Sequence, residues 1–95
     1  MEIRKTETFS RWLDRLKDPK AKAKVLVRIT RLSAGNPGDV KPVGKGVSEM
    51  RIPYGPGYRV YYVQQGDKLI ILLAGGSKKT QSKDIQTAIN LMENL

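Results

Sequence analysis

Arg51, Arg59, Tyr61 and Glu49 are the residues whose types and spacing first suggest chemistry. Successive side chains of a strand point to opposite faces, so in Val47 to Ile52 the residues Val47, Glu49 and Arg51 share a face, and in the next strand Arg59, Tyr61 and Val63 do. A turn through Tyr54-Gly55-Pro56-Gly57 sets positions 51 and 59 near each other across an antiparallel ladder. Two unpaired guanidiniums there repel by about a few tenths of a kcal/mol, so something negative should lie between or above them. The plainer alternative is that Glu49 pairs with one arginine and the face is merely solvated. Further on, Gly75-Gly76-Ser77-Lys78-Lys79-Thr80 lets the backbone bend and brings two lysines to the rim of the same face. It lacks the spacing of a nucleotide phosphate loop.

A second cationic feature precedes this one. Lys17, Lys20, Lys24, Arg28 and Arg31 are spaced 3, 4, 4 and 3, which puts them on one side of a helix and its lead-in. Such a stripe is either a solvated helix face or an anchoring surface for phosphates. The charge is lopsided: through Gly46 there are twelve basic and five acidic residues, and from Val47 onward six and four. The whole chain of 95 residues carries +9, which favours a polyanionic partner such as RNA, DNA or an acidic protein over a small neutral substrate. With no cysteine there is no disulfide, thiolate zinc site or thiol nucleophile, and with no histidine no imidazole acid–base pair or imidazole metal ligand. No metal and no other cofactor is expected. No apolar run approaches the roughly 18 residues of a membrane span, and Met1 to Lys5 leads into polar sequence, so the expectation is one cytoplasmic domain over residues 1–95.

The elements that must hold these residues follow from periodicity. Glu2 to Thr8 alternates weakly and predicts an edge strand, with Thr6 or Thr8 capping a helix over about residues 9–17 whose stripe is Phe9, Trp12, Leu13 and Leu16. Asp18-Pro19 predicts an N-cap and first helical residue, and Ala21, Val25, Ile29 and Leu32 carry that second helix to a stop at Gly35. Asn36 to Gly46 is dense in turn residues and reads as a loop. Strands follow at Val47–Ile52, Tyr58–Gln64 and Lys68–Ala74, the last apolar at consecutive positions and so expected at the sheet centre, with Gly75-Gly76 beyond its end. Ile85, Ala88, Ile89 and Met92 predict a C-terminal helix over 82–95. The expected fold is α+β, in the order β-α-α-β-β-β-α: a helical hairpin packed on a small, mainly antiparallel twisted sheet, then a C-terminal helix.

That order resembles the RelE/ParE superfamily of toxins from type II toxin–antitoxin modules. Its carriers are Val47-Ser48-Glu49-Met50-Arg51, Gly55 to Tyr62, Leu72 to Gln81 and Asp84-Ile85. More narrowly it resembles the HigB-like, RelE/StbE-type branch. The resemblance implies a translation inhibitor neutralised by a cognate antitoxin of DNA-binding helix-turn-helix type, reaching operator DNA only through the antitoxin complex. Many relatives cut messenger RNA on the ribosome; the ParE branch instead poisons DNA gyrase, and a non-toxic binding module is a further alternative. For an RNA cutter the candidate catalytic residues are Arg51, Arg59, Tyr61, Lys78 and Lys79, and the candidate RNA-binding residues are Lys17, Lys20, Lys24, Arg28 and Arg31. Arg51 and Arg59 would stabilise the transition state, while the proton work would fall to Lys78 or Lys79, with Tyr61 and Glu49 as further candidates. The histidines of some HigB-like relatives and the late tyrosine of the RelE branch are absent.

Overall fold

The Thr6 hydroxyl accepts a hydrogen bond from the Phe9 N–H at 3.0 Å, and with that cap the chain turns from strand β1 (Glu2–Lys5) into helix α1 (Glu7–Arg15). The helix starts two residues before the expected point, and the strand ends three residues earlier than its alternation suggested, because Thr6 caps instead of pairing. Asp18 caps α2 (Pro19–Ser33), accepting from the Lys20 N–H at 2.9 Å, with Pro19 at the first helical position. The computed structural model describes all 95 residues and continues with β2 (Val40–Gly44), β3 (Val47–Ile52), β4 (Tyr58–Gln65), β5 (Leu69–Ser77), one 3-10 turn at Lys78–Thr80 and α3 (Gln81–Glu93).

The five strands form one sheet in the order β1-β5-β4-β3-β2, parallel between β1 and β5 and antiparallel elsewhere. This is an α+β fold with both sheet faces covered. The α1–α2 hairpin buries Phe9, Val25 and Leu32 against Met50, Val60 and Leu72, and α3 buries Ala88 against Val47, Tyr61 and Leu73 on the other face. The Val, Leu, Met and Phe side chains among these contribute roughly 1.5–3 kcal/mol each when fully buried. No helix is long and apolar enough to cross a membrane.

Three expectations need correction. The segment read as a loop contains strand β2, which pairs with β3 and carries a register shift between Pro42 and Gly44. An edge position tolerates Pro42, and a five-residue strand with a mostly exposed pattern leaves little alternation to detect. The middle strand is β4, not β5; β5 is uniformly apolar because helices cover both of its faces, which does not require the central place. Gly75 and Gly76 lie inside β5, not after it.

The junction between the helices makes a prediction. The Tyr54 hydroxyl donates to Asp18 Oδ2 at 3.0 Å, and this bond, ahead of the backbone contacts, holds the Asp18 carboxyl below its ordinary value of 3.8. A depressed carboxyl contributes stability that is present above the unfolded value and is lost as pH falls through the folded one. Tyr54→Phe should therefore raise the Asp18 titration in a carboxyl-detected NMR experiment. It should also narrow the difference in urea midpoint between pH 7 and pH 3, and an unmoved Asp18 titration would show that the bond is absent in solution.

A candidate anion-binding cleft

Helix α3 begins at Gln81, and its start decides which rungs of the β3–β4 ladder are covered. Val47 pairs with Val63 and Glu49 with Tyr61 beneath the helix, while the next rung, Arg51 opposite Arg59, stays open. There a cleft of about 370 Å³ is lined by Asp39, Arg51, Ile52, Pro53, Gly57, Tyr58, Arg59 and Lys78. The β3–β4 turn shapes its wall, with Gly55 and Gly57 at φ of 56° and 76°, where a side chain would be strained. The Gly57 carbonyl accepts both the Lys78 backbone N–H and Arg59 Nη1, each at 2.8 Å, so one turn residue sets the positions of two cations.

The charges are arranged so that the two arginines tolerate each other. Arg51 Nη2 donates to Asp39 Oδ1 at 2.8 Å, a bond that holds the Asp39 carboxyl below its ordinary range and pushes the guanidinium's own proton affinity higher. Arg59 Nε stands 3.6 Å from Glu49 Oε2. Something negative thus accompanies each arginine. Glu49 was legible from strand alternation, but Asp39, in the segment read as a loop, was not. Three cations line the cleft against the single carboxylate of Asp39, with Glu49 sealed below, so the site can hold an anion such as a phosphate.

Of the five candidate catalytic residues, the structure brings Arg51, Arg59 and Lys78 to this cleft. Lys79 is exposed and does not line it. Tyr61 lies on the same face but is completely buried under α3, and burial, with the charge of Glu49 adding to it, pushes its phenol well above the usual range. Sealed in this way, Tyr61 does not line the cleft.

The basic stripe also divides. Lys17, Lys20, Lys24 and Arg31 are exposed. Arg28 is half-buried and donates to the carbonyls of Arg51 at 2.6 Å, Pro37 at 3.1 Å and Asp39 at 3.3 Å. It ties the loop before β2 onto β3 and so positions Asp39, a use of its donors that competes with docking on a phosphate.

Gly75 and Gly76 are required for closeness, not for bending. A Cβ at Gly75 would stand 2.2 Å from Trp12 Cε3 on the hairpin side, and one at Gly76 would stand 1.7 Å from Asp84 Oδ2 on the α3 side. Gly76 pairs with Arg59 in the ladder, and Thr80 donates to the Asp84 carboxylate that lies over it. The start of α3 is thereby pressed onto the sheet directly beside the cleft.

A profile of the family described as phage-derived Gp49-like proteins (DUF891) matches residues 11–93. The chain belongs to the Gp49-like family. A relative from Haemophilus influenzae, described as an uncharacterized protein, is 50% identical over 95 residues, which span 100% of this chain and 96% of that protein. Every cleft residue of the Gp49-like protein, from Asp39 to Lys78, falls within the family's span, while β1 and the first turn of α1 lie outside it.

Proposed function

We propose that this Gp49-like protein is the toxin of a type II toxin–antitoxin module, a RelE-like endoribonuclease that cuts messenger RNA on the ribosome. The Gp49-like family is generally associated with toxin–antitoxin modules. The observation that carries the reading is the convergence of Arg51, Arg59 and Lys78 on one open cleft in a chain without histidine. A gyrase-directed toxin has no need of that convergence.

The chemistry assigned to the cleft is transesterification. The 2′-hydroxyl oxygen attacks the adjacent phosphorus as its proton passes to solvent water, and the bond to the 5′-oxygen breaks as that oxygen takes a proton from the Lys78 ammonium, which solvent then reprotonates, leaving a 2′,3′-cyclic phosphate and a 5′-hydroxyl. Arg59 and Arg51 stabilise the charge that builds on the non-bridging oxygens. Lys78 is the cleft's remaining cation, and the proposal gives it the leaving oxygen. With no imidazole and with Tyr61 sealed, the chain lacks a strong proton acceptor near neutrality, so much of the rate comes from substrate orientation, and the ribosome supplies it. Exposed Lys17, Lys20, Lys24 and Arg31 dock on ribosomal RNA. A cognate antitoxin of acidic surface, itself the DNA-binding component, neutralises the toxin.

Purified protein added to ribosomes stalled on a defined message, followed by primer extension, tests this: new ends within the A-site codon are expected, and an intact message on programmed ribosomes would refute it. Lys20→Glu with Lys24→Glu should leave the circular dichroism spectrum unchanged and weaken ribosome cosedimentation. The slope of log affinity against log salt should flatten by about 0.7–0.9 for each phosphate that the protein no longer neutralises. An unchanged salt dependence would reduce the stripe to a solvated helix face.

A further inference from the structure

Glu49 is the one charged residue that the fold buries completely. Its Oε2 accepts the Tyr61 hydroxyl at 3.0 Å and Gln81 Nε2 at 2.8 Å, while Arg59 Nε waits at 3.6 Å and Lys41 Nζ lies 3.8 Å from Oε1. Glu49 Oε1 and Arg59 Nε are both buried without a hydrogen-bond partner. A carboxylate and a guanidinium this close ordinarily close into short, often bidentate, charge-assisted hydrogen bonds. Here they do not, although each leaves a buried group unsatisfied, and an unsatisfied buried group is costly.

The reason lies in the two neutral donors. Tyr61 and Gln81 occupy the lone pairs of Oε2, the oxygen nearer to Arg59, while the unpartnered Oε1 is turned toward Lys41 on the neighbouring strand β2, and Gln81 reaches Oε2 from the first turn of α3. Glu49 therefore attracts the guanidinium without capturing it, and Arg59 keeps its place on the cleft wall, anchored instead through Nη1 to the Gly57 carbonyl.

We propose that Tyr61 and Gln81 are positioning residues that act through Glu49: by saturating Oε2 they keep the carboxylate from withdrawing Arg59 from the cleft. The proposal rests on the reading of the cleft as the RNA-cleaving site, and it gives Tyr61 a role that needs neither contact with substrate nor loss of its proton.

Gln81→Leu should fold normally and lower the cleavage rate on programmed ribosomes by about tenfold, the scale of one hydrogen bond at a reacting charge. The KM for ribosomes and the shape of the pH profile should not move. Adding Glu49→Gln to Gln81→Leu replaces the competing charge with an amide and should restore the rate to within about threefold of the wild type. Independently of activity, the Arg59 Nε–Hε resonance in ¹⁵N NMR should shift downfield and exchange more slowly with water in Gln81→Leu, as the guanidinium closes on Glu49. Full activity in Gln81→Leu, a loss that persists in the double variant, or an unmoved Arg59 Hε signal would each overturn the proposal. If the wild-type protein cuts no message, the cleft reading is what fails, and the Arg59 resonance alone decides the positioning claim.

Discussion

Removing the Arg59 guanidinium is expected to lower message cleavage by about a hundredfold, the equivalent of roughly 3 kcal/mol of transition-state stabilisation, and to let induced cells grow normally. Arg59 is 11% exposed and faces the fully buried Glu49 carboxylate, so Arg59→Ala alone would leave a buried charge without its counter-ion. Leaving that sealed carboxylate uncompensated costs about 3–5 kcal/mol, enough to confuse lost chemistry with lost fold, whereas Arg59 lines the open cleft and keeps solvent contact when Glu49 is made neutral. The informative variant is therefore Arg59→Ala together with Glu49→Gln, checked by circular dichroism and thermal melting, with Glu49→Gln as its reference. Undiminished cleavage by a folded double variant would remove Arg59 from the site.

The largest effect on stability is expected at Gly76. An alanine methyl there would sit 1.7 Å from Asp84 Oδ2 and 3.0 Å from Thr80 Oγ1, so the first turn of α3 must lift from β5. Overpacking of this kind costs about 1–3 kcal/mol, and at the upper end a chain of this size should lose on the order of 15 °C in melting temperature. Because α3 also carries Gln81 to Glu49, the displacement should reach Arg59, and Gly76→Ala should lose activity out of proportion to its folded fraction. A Gly76→Ala protein that melts with the wild type would mean that α3 does not press on β5 as described. Gly75→Ala meets Trp12 at 2.2 Å and provides the matching test on the hairpin face.

How much of this was legible in the sequence depended on whether a signal was local. The caps of α1 and α2, the β3–β4 turn and the pairing of Arg51 with Arg59 follow from residue types and a period of two, and they appear as read. Asp39 was hidden because the edge strand that delivers it is short and interrupted by Pro42, so only the long-range pairing of β2 with β3 identifies it. The burial of Tyr61 was hidden for a related reason: alternation tells which face a side chain takes, not how far a helix from elsewhere in the chain extends over that face. Arg28 has the spacing of a surface cation and still spends its donors on three carbonyls, a use that only the folded loop reveals. The two glycines of β5 suggested a bend, whereas Trp12 and Asp84 approaching from opposite faces are what exclude a side chain there.

The measurement that bears most directly on the central claim is made in growing cells. The protein is induced alone, message 5′ ends are mapped across the transcriptome, and chromosomal DNA breaks are scored in the same culture, with the Arg59→Ala, Glu49→Gln variant as the control. The expected result is a rapid appearance of new 5′ ends inside translated codons, dependent on ongoing translation and absent from the control, with the chromosome intact. Intact messages with accumulating gyrase-linked breaks would contradict it and assign the same fold to a toxin that needs no cleft.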